Sequence, residues 1–135
     1  MKRKLNCILL VDDNNADNVF HQIILRKMDI VNRIDIVLNG LEALTYLKKE
    51  NQTPPELIFL DINMPRMNGW EFLEEYKYLP IHQKARVTIL ILTTSANPDD
   101  IKKANEIEQV TGIETKPLSE EMVTKILNQH FQDYL

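Results

Sequence analysis

Four positions in this chain place reactive polar groups directly after apolar runs. Asp12 and Asp13 follow Cys7 to Val11, and Asp61 follows Leu57 to Leu60. Thr93, Thr94 and Ser95 follow Val87 to Leu92, and Lys116 follows the short run Gly112 to Thr115 and precedes Pro117. A carboxylate is a competent acceptor of a phosphoryl group. Such a transfer needs positioning and neutralisation of charge more than covalent help. Three carboxylates brought together repel one another unless a cation sits among them. An all-oxygen set with few protein ligands suits magnesium, Mg2+, which keeps several waters and holds phosphate. In this chemistry Asp61 is the nucleophile and the other acids hold the metal. A threonine hydroxyl donates a hydrogen bond to a phosphoryl oxygen, and the Lys116 ammonium pairs with another. The product is an acyl phosphate.

These groups meet only if the elements that carry them end at one edge. Apolar runs alternate with amphipathic stretches along the chain, without an internal repeat or low-complexity linker. Cys7 to Val11, Arg33 to Val37, Glu56 to Leu60, Val87 to Leu92 and Gly112 to Thr115 read as five strands. The predicted helices run over Asn15 to Lys27, from the Asn39 cap, over Asn68 to Tyr78, from the Asn97 cap to about Glu108, and from the Ser119 cap. Pro98 at a first helical position and Asp99 and Asp100 beside it suit a helix start. The first helix is expected to bury Val19, Phe20, Ile23, Ile24 and Lys27/Met28 at helical spacing. The second carries Leu41, Leu44 and Leu47. The third turns Phe72, Leu73 and Tyr76 inward, and the last packs Met122, Val123, Ile126, Leu127 and His130/Phe131. Pro54-Pro55 breaks the chain before the third strand, and Pro80 to Arg86 reads as a loop. Crossovers of this length make parallel neighbours with helices on both faces, an α/β doubly wound sheet. Ligands in such a sheet sit beyond the carboxyl ends of the strands.

At 135 residues the chain is expected to form one domain with a real core. A net charge of −4 gives a nucleic-acid surface no electrostatic support. The basic start Met1-Lys2-Arg3-Lys4 has no cleavage site behind its short apolar stretch, and no run approaches a membrane span. The expected location is the cytoplasm. The single cysteine, Cys7, reads as core filler in a reducing compartment.

The segments Leu10-Val11-Asp12-Asp13-Asn14, Leu60-Asp61-Ile62-Asn63-Met64-Pro65-Arg66-Met67-Asn68-Gly69, Ile91-Leu92-Thr93-Thr94 and Lys116-Pro117-Leu118 resemble the receiver domain of two-component response regulators. The match spans essentially the whole chain, in order and spacing. The resemblance implies a flavodoxin-like fold with five parallel strands in the order 2-1-3-4-5 and five helices. It implies phosphorylation of Asp61 by a sensor histidine kinase or histidine phosphotransfer protein. It makes Asp13 and Asp61 direct magnesium ligands, with Asp12 acting through a metal-bound water and the Asn63 backbone carbonyl as a further ligand. Thr93 becomes the switch hydroxyl and Lys116 the phosphoryl partner, after a cis Lys116–Pro117 bond. Two departures stand out. Ile113 occupies the place of the family's usual Tyr or Phe on the fifth strand, and Glu106 to Thr111 is about one residue longer than usual.

Other readings are weighed against this one. Asp13 to Asp17 superficially resembles a calcium loop, but Asn18 and Ile24 stand where that loop needs a glycine and an acid. Thr94 is the alternative to Thr93 as the switch hydroxyl. Ser95 and Asn63 are placed to tune phosphate lifetime. His21, His82 and His130 lack ligand spacing and read as surface or helix residues, not phosphodonors. Trp70 is expected to pack at the start of the third helix, near enough to Asp61 to report metal binding. Gly40, Gly69 and Gly112 form no phosphate-cradling loop, and Lys102-Lys103 reads as a solvated face. A haloacid-dehalogenase-type phosphatase would need an acid where Asn63 stands. The expected function is therefore that of a stand-alone receiver, not an enzyme, monomeric or dimerising on phosphorylation, that binds a downstream protein target. A relay to another histidine is the alternative.

Overall fold

All five apolar runs form strands in the computed structural model, which describes residues 4–50, 52–84 and 88–131. In order these are β1 (Leu5–Val11), α1 (Asn15–Met28), β2 (Val31–Val37), α2 (Gly40–Lys48), β3 (Leu57–Leu60), α3 (Gly69–Tyr76), a 3-10 turn (Ile81–Gln83), β4 (Thr88–Thr93), α4 (Pro98–Asn105), β5 (Val110–Thr115) and α5 (Glu120–His130). The strands are parallel and lie in the order β2-β1-β3-β4-β5, the flavodoxin-like arrangement. The basic start Met1 to Arg3, the end of the Pro80 to Arg86 loop and Val87 lie outside the described residues.

Alternation along the central strands sends side chains into two cores. Leu9, Val11, Ile58, Leu60, Ile89 and Ile91 pack with α2, α3 and Ala104 of α4. Ile8, Leu10, Leu57, Phe59, Leu90 and Leu92 pack on the other face with α1 and α5. Strands covered on both faces carry near-continuous apolar runs, which is why β3 reads Leu-Ile-Phe-Leu. Every helix opens on a side-chain cap: Asn14, Asn39, Asn68, Asn97 and Ser119 each accept a backbone N–H from the first turn. Each such cap stabilises by about 1 kcal/mol. At α3 the bond is reciprocal, with Glu71 accepting the Asn68 N–H.

The phase of α1 differs from the sequence expectation. Val19, Phe20 and Ile23 are 57%, 42% and 59% exposed, whereas Asn18, His21 and Leu25 are buried. The first half of α1 lies against the polar edge of the sheet. Its inward positions are therefore polar, and only Ile24, Leu25 and Met28 reach the apolar core. His21 is thus a buried helix residue, with burial pushing its imidazole pKa down. His82 and His130 are exposed. Leu41 of α2 is also exposed, and Ala43, Leu44, Tyr46 and Leu47 make its inner face. At α5 it is Phe131, not His130, that packs. Cys7 is buried, with its Sγ 3.4 Å from the Tyr46 hydroxyl.

The extra residue before the fifth strand is absorbed in the sheet. Helix α4 ends at Asn105 and β5 begins at Val110, both earlier than expected. Ile89 pairs with Val110 and Leu90 with Gly112, so Thr111 has no partner across the ladder. This is a β-bulge, one residue inserted on one strand. The Thr111 hydroxyl donates to the Ile89 carbonyl at 3.1 Å. Beyond the bulge the register recovers, and Thr93 pairs with Thr115. Lys116 consequently reaches the end of β4 despite the insertion.

Candidate functional site

Backbone pairing carries the polar residues to one edge. Val11 pairs with Leu60, so Asp12 and Asp61 leave neighbouring strands side by side. The Asp61 N–H donates to the Val11 carbonyl at 2.9 Å, and the Asp12 N–H to the Val37 carbonyl at 3.1 Å. On the far side, the Lys116 N–H donates to the Thr93 carbonyl at 2.7 Å. Each helix begins just after a strand ends, so the positive helix ends share this edge with the acids.

Asp12, Asp13 and Asp61 each bring a carboxylate oxygen within 4.8 Å of the others. Asp12 and Asp61 are buried and Asp13 is exposed. Burial, with the Asp12 charge behind it, raises the Asp61 pKa to about 6. The Lys116 ammonium and the Ile62 N–H, which donates to Asp61 at 2.9 Å, pull the other way without cancelling it. An acid held above its ordinary range by burial, and after that by neighbouring acids, is the condition that a bound cation relieves. The set is all oxygen and small in number, which fits magnesium or manganese better than zinc.

Lys116 is the cation that the structure itself supplies. Its side chain is only 9% exposed, with Nζ 2.6 Å from Asp12, 2.8 Å from Asp17 and 3.6 Å from Asp61. Burial lowers its pKa, but hydrogen bonds to Asp12 and Asp17 more than compensate, and it stands at about 12. The Lys116–Pro117 bond is cis. Thr93 is 1% exposed at the end of β4, while Thr94 and Ser95 are exposed. Asn63 is exposed between the buried Ile62 and Met64. Trp70 is half-buried at the start of α3, with the Lys103 ammonium 4.7 Å from its ring centre.

Two features went unread in the sequence. Asp17 joins the Lys116 ion pairs, whereas an acid in a first helical turn reads simply as a dipole partner. Gly69 is required by contact. A Cβ there would lie 2.5 Å from the Asp61 carbonyl oxygen and 2.9 Å from the Ile62 Cα, because the loop after β3 folds back on itself. The Gly69 N–H donates to the Ile62 carbonyl at 2.8 Å across the same loop. Gly69→Ala is expected to destabilise the protein by about 1–3 kcal/mol, the usual cost of overpacking against backbone. A lowered midpoint in urea unfolding would register this; an unchanged midpoint would refute the contact.

Fold and site together define a receiver of two-component signalling, and the chain belongs to the response regulator receiver domain family, whose sequence model matches residues 8–128. It is similar to the response regulator Rcp1 of Synechocystis sp., with 38% identity over 104 residues, 74% of this chain and 69% of that protein. A structure of the Mn(2+)-bound form of response regulator Rcp1 matches with TM-score 0.74 and 34% identity, covering 95% of this chain and 94% of that one. The phosphorylated cyanobacterial phytochrome response regulator RcpA matches with TM-score 0.73 and 32% identity, over 93% and 90% of the two chains. A two-component response regulator from Cytophaga hutchinsonii matches with TM-score 0.82 and 29% identity, over 94% and 97%.

Proposed function

We propose that the protein accepts a phosphoryl group on Asp61 from a histidine kinase or histidine phosphotransfer protein, and signals by binding a target in a phosphorylation-dependent way. The observation that carries this reading is the arrangement at the sheet edge. A buried aspartate stands within 4.8 Å of two further carboxylates, with a lysine ammonium 3.6 Å away. The family, a manganese-bound relative and a phosphorylated relative support the same chemistry.

The residues then divide the chemistry among them. An Asp61 oxygen attacks phosphorus, the phosphorus–nitrogen bond of the donor phosphohistidine breaks, and the departing imidazole keeps the electron pair and takes a proton. Asp12, Asp13, Asp61 and the Asn63 carbonyl would hold a magnesium ion. When bound, that ion supplies neutralisation of the phosphoryl oxygens and of the acids around them. Lys116 pairs with one phosphoryl oxygen, and the Thr93 hydroxyl donates to another. The direct test is incubation with acetyl phosphate and magnesium. Self-labelling of one site is expected, whereas steady turnover of phosphoesters without label would exclude the reading.

The metal reading has a pH signature. Asp61 binds its proton more tightly folded than unfolded, so its contribution to stability falls as pH rises from about 4 to about 6. A cation at the acids offsets that penalty only where Asp61 is ionised. Magnesium is therefore expected to raise the melting temperature more at pH 7.5 than at pH 5, and to quench Trp70 fluorescence. Asp13→Ala should remove both effects; an undiminished response from that variant would dissociate Asp13 from the metal.

A further inference from the structure

We propose that Asp17 holds Lys116 in the resting protein and sets the cost of releasing it to a phosphoryl group. The inference rests on the phosphoacceptor reading of Asp61. The ammonium makes its two short contacts to Asp12 and Asp17, at 2.6 and 2.8 Å, and stands 3.6 Å from Asp61. A lysine has three N–H donors and no acceptor. Two of them are thus committed away from the residue to be phosphorylated.

Asp17 lies in the first turn of α1, and its carboxylate accepts from Lys116. The Asp17 N–H donates to the Asn14 side chain at 3.0 Å, and the Asn14 N–H donates to the Asp12 side chain at 2.9 Å. One capping network therefore fixes the Asp12 side chain and the Asp17 backbone, and so sets where both acids meet the lysine. Asp17 stands outside the carboxylate group formed by Asp12, Asp13 and Asp61. A surface ion pair would be worth little. Here the lysine is 9% exposed and its partner 36%, and charge-assisted hydrogen bonds in partly desolvated surroundings are strong.

Asp17 is thus a positioning residue that acts through Lys116. When a phosphoryl group appears on Asp61, Lys116 must turn a donor toward it. The ammonium stands 3.6 Å from Asp61, so closing on a phosphoryl group there moves it, and the contact it gives up is the one to Asp17, the acid outside the cluster. Phosphorylation then also unlatches the first turn of α1, which precedes the exposed Val19, Phe20 and Ile23. With Asp17 absent, Lys116 keeps only its contacts to Asp12 and Asp61, and the phosphoryl group binds it without that cost.

The test uses beryllium fluoride with magnesium as the phosphoryl mimic, followed by Trp70 fluorescence. Asp17→Asn, which preserves size, is expected to bind the mimic about tenfold more tightly than wild type, the scale of one charge-assisted hydrogen bond. Asp17→Glu should return most of the way to the wild-type constant. In a Lys116→Ala background, Asp17→Asn should change the constant less than twofold. An unchanged or weaker constant in the single variant would overturn the latch. So would a full gain in the Lys116→Ala background, since Asp17 would then repel the anion directly. The Lys116 ammonium signal in ligand-free NMR spectra provides a separate arm. Faster proton exchange in Asp17→Asn supports the latch and equal exchange overturns it, even if wild-type protein fails to bind the mimic and the phosphoacceptor reading falls.

Discussion

Asp61→Asn protein is expected to take no label from acetyl phosphate in magnesium and, without metal, to be more stable than wild type above pH 6. The first outcome follows from chemistry. An amide oxygen is a poor nucleophile, and the remaining acids, Asp12 and Asp13, are the ones assigned to the metal. The second follows from burial. Asp61 is 7% exposed, and its pKa rises from 3.8 to about 6 with burial as the chief cause and Asp12 next. At 1.36 kcal/mol per pH unit, the ionised side chain costs about 3 kcal/mol in the folded state. The penalty is absent below pH 4, grows as pH rises to about 6, and is constant above. Asn removes the charge and keeps the shape; the attraction to Lys116 at 3.6 Å is already contained in that cost, and discounted for solvent screening a net gain of about 1–2 kcal/mol is expected. That corresponds to a rise of roughly 3–10 °C in melting temperature at pH 7.5. Functional residues held at a stability cost are a common pattern. Undiminished labelling would end the assignment of Asp61, and a fall in melting temperature would end the account of its burial.

The sequence displays most of the site because parallel sheets convert order into proximity. Each reactive residue follows an apolar run, and parallel strands of similar length end together. Asp12, Asp61, Thr93 and Lys116 could therefore be gathered at one edge without coordinates. The features that escape are those for which neighbouring contacts outweigh pattern. The apolar periodicity of α1 points to Val19, Phe20 and Ile23, but its neighbour is the polar edge, so Asn18 and His21 face inward instead. The Asn18 amide donates to the Asp12 carbonyl at 2.9 Å, a partner that no periodicity announces. Gly69 reads as an ordinary turn glycine, and only the fold of the loop reveals the Asp61 carbonyl against it. The long segment before β5 is visible as an extra residue. That it becomes a bulge at Thr111, leaving Lys116 in place, depends on the ladder with β4. Ile113, in the place of the usual ring, packs against the core to which Ile89, Ile91 and Ala104 of α4 belong.

Lys116→Ala is expected to separate the three tasks of this lysine, as counter-charge, competitor for the acids and phosphoryl partner. The side chain sits 9% exposed among Asp12, Asp17 and Asp61. Removing one partner of a buried ion pair leaves uncompensated charge, which costs about 3–5 kcal/mol in comparable sites. The metal-free variant should therefore melt well below wild type at pH 8. The sign reverses the behaviour of Asp61→Asn. With the ammonium gone, the pKa of Asp61 moves further up, because Lys116 is the chief group now lowering it. Protonation then relieves the variant as pH falls, so its deficit shrinks between pH 8 and pH 5. Magnesium replaces the missing charge from the other side. Its binding should tighten, since no ammonium competes for Asp12 and Asp61, and it should recover most of the lost melting temperature. The response to phosphorylation should not recover. The variant labels on Asp61 but lacks the cation that draws the phosphoryl group toward β5, so target binding stays at the unphosphorylated level. Thermal melts at both pH values with and without magnesium, and target binding with and without acetyl phosphate, read all three tasks. Wild-type stability at pH 8 without metal would mean that Lys116 does not hold the acids together. A normal phosphorylation response would mean that the signal leaves Asp61 by another route, with Thr93, buried at the end of β4, as the group that remains to carry it.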